Sequence, residues 1–174
     1  MVTENFGIHG TLTFSTLNDD GSVCDSATSD NIICYTGLNV MLPALLWDFI
    51  EDQNTTMGSP FSVAYCAPIM GAVGTGVATP ADSDVALVTE VARAQVMAAG
   101  ITNGSAGIDG YLSFSFLFGL PGSNYSIIEA GVFLQGAAAV PGSGSLFDHA
   151  TLAAVSWSTT QLATLVAQFS FGNS

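Results

Sequence analysis

The alternation of hydrophobic and polar residues predicts β-strands over most of the chain. Between Phe6 and Phe14, apolar side chains at even-numbered positions alternate with mostly polar ones. A period of two is typical of a strand that buries one face. The sequence NDDG at 18–21 has strong turn-forming character and ends this strand.

The second half of the chain shows the same strand signal at the spacing of β-hairpins. Several short strands at such intervals favour an antiparallel sandwich or barrel. We therefore expect a mainly β, jelly-roll-like fold with one or two short helices, in a single domain over 1–174. The candidate strands cover 92–98, 111–118, 127–134, 146–157 and 162–171.

Two segments predict short helices. An apolar run over 39–50 has Asn39 as a candidate N-cap. A second helix begins with Ser83 or Asp84 as its cap and continues to Glu90. The other segments are interpreted as a loop or second hairpin arm over 22–31, a strand-like stretch over 61–70, a glycine-rich connection over 71–80 and a turn-rich loop over 102–110.

The chain has almost no positive charge. It has no lysine and one arginine, Arg93, against fourteen acidic residues, which gives a formal net charge of −13. Charged residues make up 9% of the chain, compared with about 25% in ordinary proteins. A surface of Ser, Thr, Gly and Ala in place of Lys and Glu predicts that copies of the chain or a larger assembly cover much of it.

This charge balance also excludes some partners. Binding to a nucleic-acid backbone or to an anionic membrane depends on Lys and Arg.

The longest apolar stretches, such as 130–140, are shorter than the roughly 20 residues of a membrane span. The first residues lack the pattern of a signal peptide. We expect no nucleic-acid or membrane partner and synthesis in the cytoplasm.

Motifs for catalysis are weak. His149 follows Asp148, but no nucleophile motif lies near it, and PGSGS at 141–145 lacks the G-x-S-x-G spacing. The glycines of 71–76 lack both the Walker lysine and the G-x-G-x-x-G spacing. We therefore expect no catalytic residue and no cofactor, and we assign the glycines to a tight turn or to a close backbone approach at a subunit contact.

Loop carboxylates and cysteines are the remaining candidates for metal binding and for disulfide bonds. Two pairs of neighbouring loop carboxylates are candidate Ca²⁺ or Mg²⁺ ligands, although such acids are usually only solvated, and we assign no metal site. The three cysteines do not have metal-binding spacing. They are interpreted as three buried free thiols, with a Cys24–Cys34 bridge as the alternative. The two carboxylate pairs are Asp19 with Asp20 and Asp82 with Asp84, and the three cysteines are Cys24, Cys34 and Cys66.

Arg93 stands out because it is the only strong cation in the chain. Glu90 lies three positions before it, within pairing distance if the segment is helical. We therefore predict a structural ion pair between Glu90 and Arg93.

Several motifs follow one another in a recognisable order. Residues 73–93 contain a G-x-G turn, a proline loop, an Asp before a Leu and a Glu-x-x-Arg. Residues 126–134 contain I-x-E-x-G-x-F. Together with 31–46, 145–152 and 164–171, this succession resembles virion proteins of tailed bacteriophages, which often have an arginine where this chain has His149. The matching residues are Gly74, Gly76, Pro80, Asp84, Leu87, Glu90, Arg93, Glu129 and Gly131.

The resemblance implies a non-enzymatic β-rich domain, usually homotrimeric. It covers the body of the chain from residue 31, while 1–30 is expected to be an attachment arm or a strand. We expect a virion structural protein, made in the host cytoplasm, that decorates the capsid exterior and binds the major capsid protein. The alternative is a tail fibre or tail tip protein that binds other tail proteins and a host cell-surface receptor through loops such as 51–60, 102–110 and 141–145.

Overall fold

The computed structural model describes residues 6–39, 70–102, 110–134 and 137–173. These residues are mainly β-strand and confirm the predicted fold class. Residues 35–39 form a short helical segment. The strands within these ranges are β1 (Phe6–Leu17), β2 (Val23–Asp30), β3 (Ile32–Ile33), β4 (Met70–Gly74), β5 (Glu90–Thr102), β6 (Tyr111–Phe118), β7 (Tyr125–Leu134), β8 (Ser145–Trp157) and β9 (Leu162–Asn173).

The strands form one antiparallel sheet that nearly closes on itself. Its order is β2-β1-β9-β6-β5-β4-β7-β8-β3. Only Asn31 separates β2 from β3, and β2 pairs with β1 while β3 pairs with β8. One nearly continuous stretch of chain therefore joins the two ends of the sheet. The Ser156 N–H of β8 also donates to Asp25 Oδ2 of β2, at 3.2 Å. The predicted sandwich or barrel is therefore present as a nearly closed barrel.

Aromatic residues fill the barrel interior at one end. Phe14, Phe118 and Trp157 pack in mutual edge-to-face contacts, with ring centroids 5.8 to 6.1 Å apart. This geometry places the positive edge of one ring against the negative face of the next. The indole Nε1–H of Trp157 donates to the Gln161 carbonyl at 2.8 Å, so this buried polar group is satisfied.

The N-terminal residues belong to the barrel. Leu12 and Phe14 are fully buried, as their alternation predicted. β1 pairs with β2 on one side and with β9 on the other. Residues 6–30 therefore form strands of the sheet, and the hairpin interpretation of 22–31 is the one observed.

The helix predicted from Ser83 or Asp84 to Glu90 is wrong. Residues 75–89 form an irregular loop, called here the 75–89 loop, that leads from β4 into β5. The reason is that the Val88 and Thr89 N–H groups donate to the Glu129 carboxylate and not to helical carbonyls. Part of the predicted connection over 71–80 is also strand, since β4 continues to Gly74.

The cysteine interpretation requires one correction. Cys34 is buried, but Cys24 is exposed, and both are free thiols. Cys24 is exposed because the edge strand β2 has most of its side chains in solvent. Cys66, the segment over 61–69 and the predicted helix beyond Asn39 lie outside the described residues. Within the ranges that the structure describes, no helix is long and apolar enough to cross a membrane.

Candidate functional site

Most residues that carried the sequence resemblance meet on the outer side of β4, β7 and β8. Glu129 of β7 lies opposite Gly74 of β4, and Gly131 of β7 lies opposite His149 of β8. The 75–89 loop packs over these strands and contributes Asp84. We call Asp84, Glu129 and His149 the carboxylate–histidine cluster.

Glu129 is the anchor for both ends of the 75–89 loop. Its Oε1 accepts hydrogen bonds from Gly76 N–H at 2.9 Å and Thr89 N–H at 2.7 Å, and its Oε2 accepts one from Val88 N–H at 2.9 Å. The side chain is buried. Burial alone raises the pKa of Glu129, but the hydrogen bonds from His149 and from the loop backbone outweigh it and lower this pKa to about 2.

His149 is held between two carboxylates. Its Nδ1 lies 2.7 Å from Asp84 Oδ2, and its Nε2 lies 3.3 Å from Glu129 Oε2. Because ionised carboxylates only accept hydrogen bonds, both ring nitrogens of His149 must donate to bond with Asp84 and Glu129. Only the protonated ring, the imidazolium, carries a proton on both nitrogens. Burial lowers the pKa of His149, but the two carboxylates outweigh it and the net shift is upward. His149 is therefore the cation of this cluster.

Asp148, which precedes His149 on β8, is hydrogen-bonded to Asn31, the residue between β2 and β3. Its Oδ1 accepts from Val132 N–H at 2.6 Å, and its Oδ2 accepts from Asn31 Nδ2 at 2.7 Å. Asp148 is fully buried, and burial raises its pKa to about 7 despite these hydrogen bonds. A carboxyl group in this environment favours the protonated form below neutral pH.

The glycines of the resemblance are required by close contacts. A Cβ atom on Gly76 would lie 2.5 Å from both Glu129 Oε1 and Val88 Cβ, and one on Gly131 would lie 2.6 Å from the Asp148 carbonyl. A Cβ on Gly74 would meet the Thr89 carbonyl oxygen at 2.5 Å. Because none of these glycines has a positive φ, space and not backbone conformation requires them. The close approach that these glycines permit is made to Glu129 and its neighbours within one chain. Their place in a tight turn or at a subunit contact stays a prediction.

A second apolar cluster lies beneath the same loop. Leu87 is buried against Phe133 and Leu146, whose side chains project from the outer side of β7 and β8. The loop is therefore held by one buried leucine and by the hydrogen bonds to Glu129. Pro80 lies in the exposed part of the loop.

Glu90 and Arg93 form an ion pair on a strand, not on a helix. Arg93 Nη2 donates to Glu90 Oε2 at 2.9 Å, and Nε donates to Oε1. Residues three apart normally lie on opposite faces of a strand. A β-bulge opposite Val73 and Gly74 adds one residue to β5 and brings the two side chains to the same side.

Arg93 also connects β5 to the loop that precedes β8. Its Nη1 donates to the Ser143 carbonyl at 2.7 Å and to Ser143 Oγ at 3.1 Å. The guanidinium carbon lies 3.9 Å from the ring centroid of Phe133, a cation–π contact. Both members of the ion pair are buried. Arg93 thus positions the 141–145 turn, whose Gly142 and Gly144 have positive φ values of 77° and 78°.

The candidate metal ligands have other partners. Asp20 Oδ1 accepts hydrogen bonds from the backbone and side chain of Ser22, at 2.9 and 2.6 Å, in the turn between β1 and β2. Asp84 accepts from Ala81 N–H at 2.8 Å and contacts His149. Among the described residues, no group of three His, Cys, Asp or Glu side chains is arranged to hold a metal ion.

No family model, curated protein or solved structure matches this chain at a significant level. The chemistry of the site is therefore argued from its own geometry. Both ring nitrogens of His149 are occupied by carboxylates, and the imidazole is completely buried. The Glu129 carboxylate is occupied by three backbone N–H groups and His149. Such a cluster fastens the 75–89 loop to the sheet.

Sequence reasoning named most of these residues but did not connect them. It did not place His149 or Asp148 at the site, nor Asn31 beside them. The signal that was available is the pairing of a buried Glu in β7 with a polar DH dipeptide in an otherwise apolar β8, since buried charges require partners.

Proposed function

We propose that this chain is a non-enzymatic structural protein of a bacteriophage virion, a homotrimer that decorates the capsid exterior and binds the major capsid protein. The observation that carries the proposal is that most of the residues matching the bacteriophage virion motifs meet at one site in the fold. Gly74, Gly76, Asp84 and Leu87 lie in or beside the 75–89 loop, and Glu129 lies far away in sequence on β7, yet all five take part in fastening that loop.

This convergence supports an architectural role for the motif. A catalytic motif needs a nucleophile or general base that can reach a substrate, whereas Glu129 and His149 are buried and bonded to each other and to the 75–89 loop, and Asp84 is bonded to His149. The near absence of cations also supports the proposal, because Arg93 is buried in an ion pair and does not reach an anionic substrate.

The surface supports a place in an assembly. Large apolar side chains are exposed on several elements, including Val77 and Val85 of the 75–89 loop at 77% and 64% exposure. Contacts between a decoration protein and a capsid lattice are individually small, but their repetition multiplies weak contacts into firm attachment. A surface with few charged residues and with exposed apolar groups suits this kind of contact.

Copy number in purified virions tests the proposal. Quantitative mass spectrometry against the major capsid protein is expected to find many copies in a fixed ratio to that protein. A small number of copies per particle contradicts a capsid decoration and favours the alternative, a tail fibre or tail tip protein. Absence from the virion contradicts both.

A further inference from the structure

The outward side of β2, β1, β9 and β6 forms a broad surface with almost no charge, which we call the hydroxyl face. Strand residues point alternately inward and outward. In this half of the barrel the inward positions hold core residues such as Phe14, Leu165 and Phe116. On β2 the hydroxyl face consists of Val23 at its end, Ser26, Thr28 and Asp30, and on β1 it consists of His9, Thr11, Thr13, Ser15 and Leu17. On β9 it consists of Leu162, Thr164, Val166, Gln168 and Ser170, and on β6 of Tyr111, Ser113, Ser115 and Leu117.

Two pairs of hydroxyl groups on this face are hydrogen-bonded to each other. Thr13 Oγ1 lies 2.9 Å from Thr28 Oγ1, and Ser15 Oγ lies 2.8 Å from Ser26 Oγ, in both cases across the β1–β2 ladder. Removing water from a hydroxyl group costs less free energy when that group already has a protein partner. The β1–β2 part of the hydroxyl face is therefore easily desolvated.

One end of the hydroxyl face is apolar. Leu17 pairs with Val23 on one side and with Leu162 on the other, and Leu117 lies one diagonal step away on β6. Val23, Leu162 and Leu117 are 60%, 43% and 42% exposed. These neighbouring aliphatic side chains form a continuous patch and are not singly scattered, which marks an interaction surface.

The charge distribution indicates which partner this face fits. Asp30, at its edge, is the one acidic residue among its members. Asp19 and Asp20 lie in the turn beyond its apolar end, and Asp25 faces the other way and accepts from Ser156 N–H. Because the chain has a net charge of −13, two copies repel wherever acids meet. Two hydroxyl faces, each with a single acid at its edge, meet at a lower cost in charge repulsion than other parts of the surface, whereas a cationic partner gains little from a face with so few acids.

We propose that the hydroxyl face is the surface through which copies of this chain associate, with Leu162, Leu117 and Val23 at its apolar end. This inference rests on the homo-oligomer of the proposed function and assigns it a surface. Four strands about 4.8 Å apart and seven residues of about 3.3 Å give an area of roughly 450 Å². That is over half of the roughly 800 Å² per partner of a standard interface. Association is therefore expected to depend on protein concentration.

Sedimentation velocity of the purified full chain over a concentration series tests the proposal. Leu162→Asp places a charge at the apolar end of the face. Val23→Asp and Val85→Asp form a matched pair, since these valines are exposed to similar extents but Val85 lies on the 75–89 loop, on the other side of the barrel. Circular dichroism and the Tm of each variant establish that it folds.

The wild-type chain is expected to associate. Leu162→Asp and Val23→Asp are expected to raise the concentration of half-association at least tenfold, which corresponds to about 1.4 kcal/mol, while Val85→Asp leaves it unchanged. A wild-type chain that stays monomeric overturns the inference. So does a Val85→Asp variant that dissociates as readily as Val23→Asp. If Leu162→Asp fails to fold, the valine pair alone decides.

The same experiment separates this inference from the proposed function. A dimer that Val23→Asp dissociates supports the hydroxyl face and contradicts the trimer. An oligomer that no face variant weakens overturns the assigned surface, while the copy number in virions still tests the proposed function.

Discussion

His149 Nδ1 lies 2.7 Å from Asp84 Oδ2 and so joins residues that are 65 positions apart in the sequence. Asp84 belongs to the 75–89 loop and His149 to the sheet, so this contact fastens the loop to the barrel. On the other edge of the imidazole, Glu129 completes a row of two anions with one cation between them. The balance of charge in this buried row depends entirely on the protonation of His149.

Replacing His149 should destabilise the protein strongly. In His149→Gln, Glu129 loses its cation while it remains buried, and removing one partner of a buried ion pair typically costs about 3–5 kcal/mol. Urea denaturation at neutral pH measures the change in the free energy of unfolding. His9→Gln is the matched control because His9 is exposed on β1, and its effect should stay within about 0.5 kcal/mol. Equal losses in the two variants would contradict the role assigned to His149.

The stability that the protons on Asp148 and His149 contribute should be lost as the pH rises. The folded-state pKa values of both groups are raised, that of Asp148 to about 7. Because the unfolded chain releases the Asp148 proton near its ordinary pKa of 3.8, this contribution is lost between that value and about 7. The contribution of His149 is lost as the pH rises above its ordinary pKa of 6.5. Each group contributes a slope of up to about 1.4 kcal/mol per pH unit, and urea denaturation from about pH 4 to about pH 9 measures it.

Asp148→Asn identifies the part of that slope that belongs to Asp148. The amide oxygen of the variant can still accept from Val132 N–H, and the side chain no longer ionises. The variant should therefore lose less stability than the wild type as the pH rises from the ordinary aspartate pKa of 3.8 to about 7. An unchanged slope would show that Asp148 does not titrate in this range. On the acid side, Glu129 has a lowered pKa of about 2, so its contribution is lost only as the pH falls toward that value.

The regular part of the fold could be predicted from the sequence because it depends on local patterns. The alternation around Leu12 and Phe14 identified β1 and its buried face, since every second residue of a strand faces the core. The 75–89 loop could not be predicted in this way. Its acids and apolar residues have the spacing of a capped helix, but the Glu129 carboxylate, contributed by β7, takes the N–H groups that such a helix would use.

The candidate site was predicted in some of its members but not in its geometry. Glu90 and Arg93 were expected to pair across a helical turn, and they do pair, but across a β-bulge. Their spacing permits either arrangement, because a bulge shifts the side-chain phase by one residue. His149 was noted beside Asp148 and as a departure from an arginine, but it was not placed at the site, since its two carboxylate partners come from a loop and a strand far away in sequence.

Gly76→Ala should destabilise the 75–89 loop. The added methyl group would lie 2.5 Å from Glu129 Oε1 and from Val88 Cβ, so the anchoring hydrogen bonds must lengthen. Overpacking of this kind costs about 1–3 kcal/mol. Gly122→Ala is the matched control, because its methyl group meets nothing within 4 Å and its φ is not positive. Thermal unfolding of both variants measures the difference, and a Gly76→Ala variant as stable as the control would contradict the close approach.

Arg93→Met should be among the most destabilising single substitutions. It leaves Glu90 buried without its cation and removes the donors to Ser143, while its aliphatic side chain still packs on Phe133. A loss of about 3–5 kcal/mol is expected in urea denaturation. Glu90→Gln, made alone and together with Arg93→Met, completes a double-mutant cycle. If the pair is the main source of the loss, the double variant should be more stable than the sum of the two single losses predicts. Additive losses would instead assign the stabilisation to the hydrogen bonds between Arg93 and the 141–145 turn.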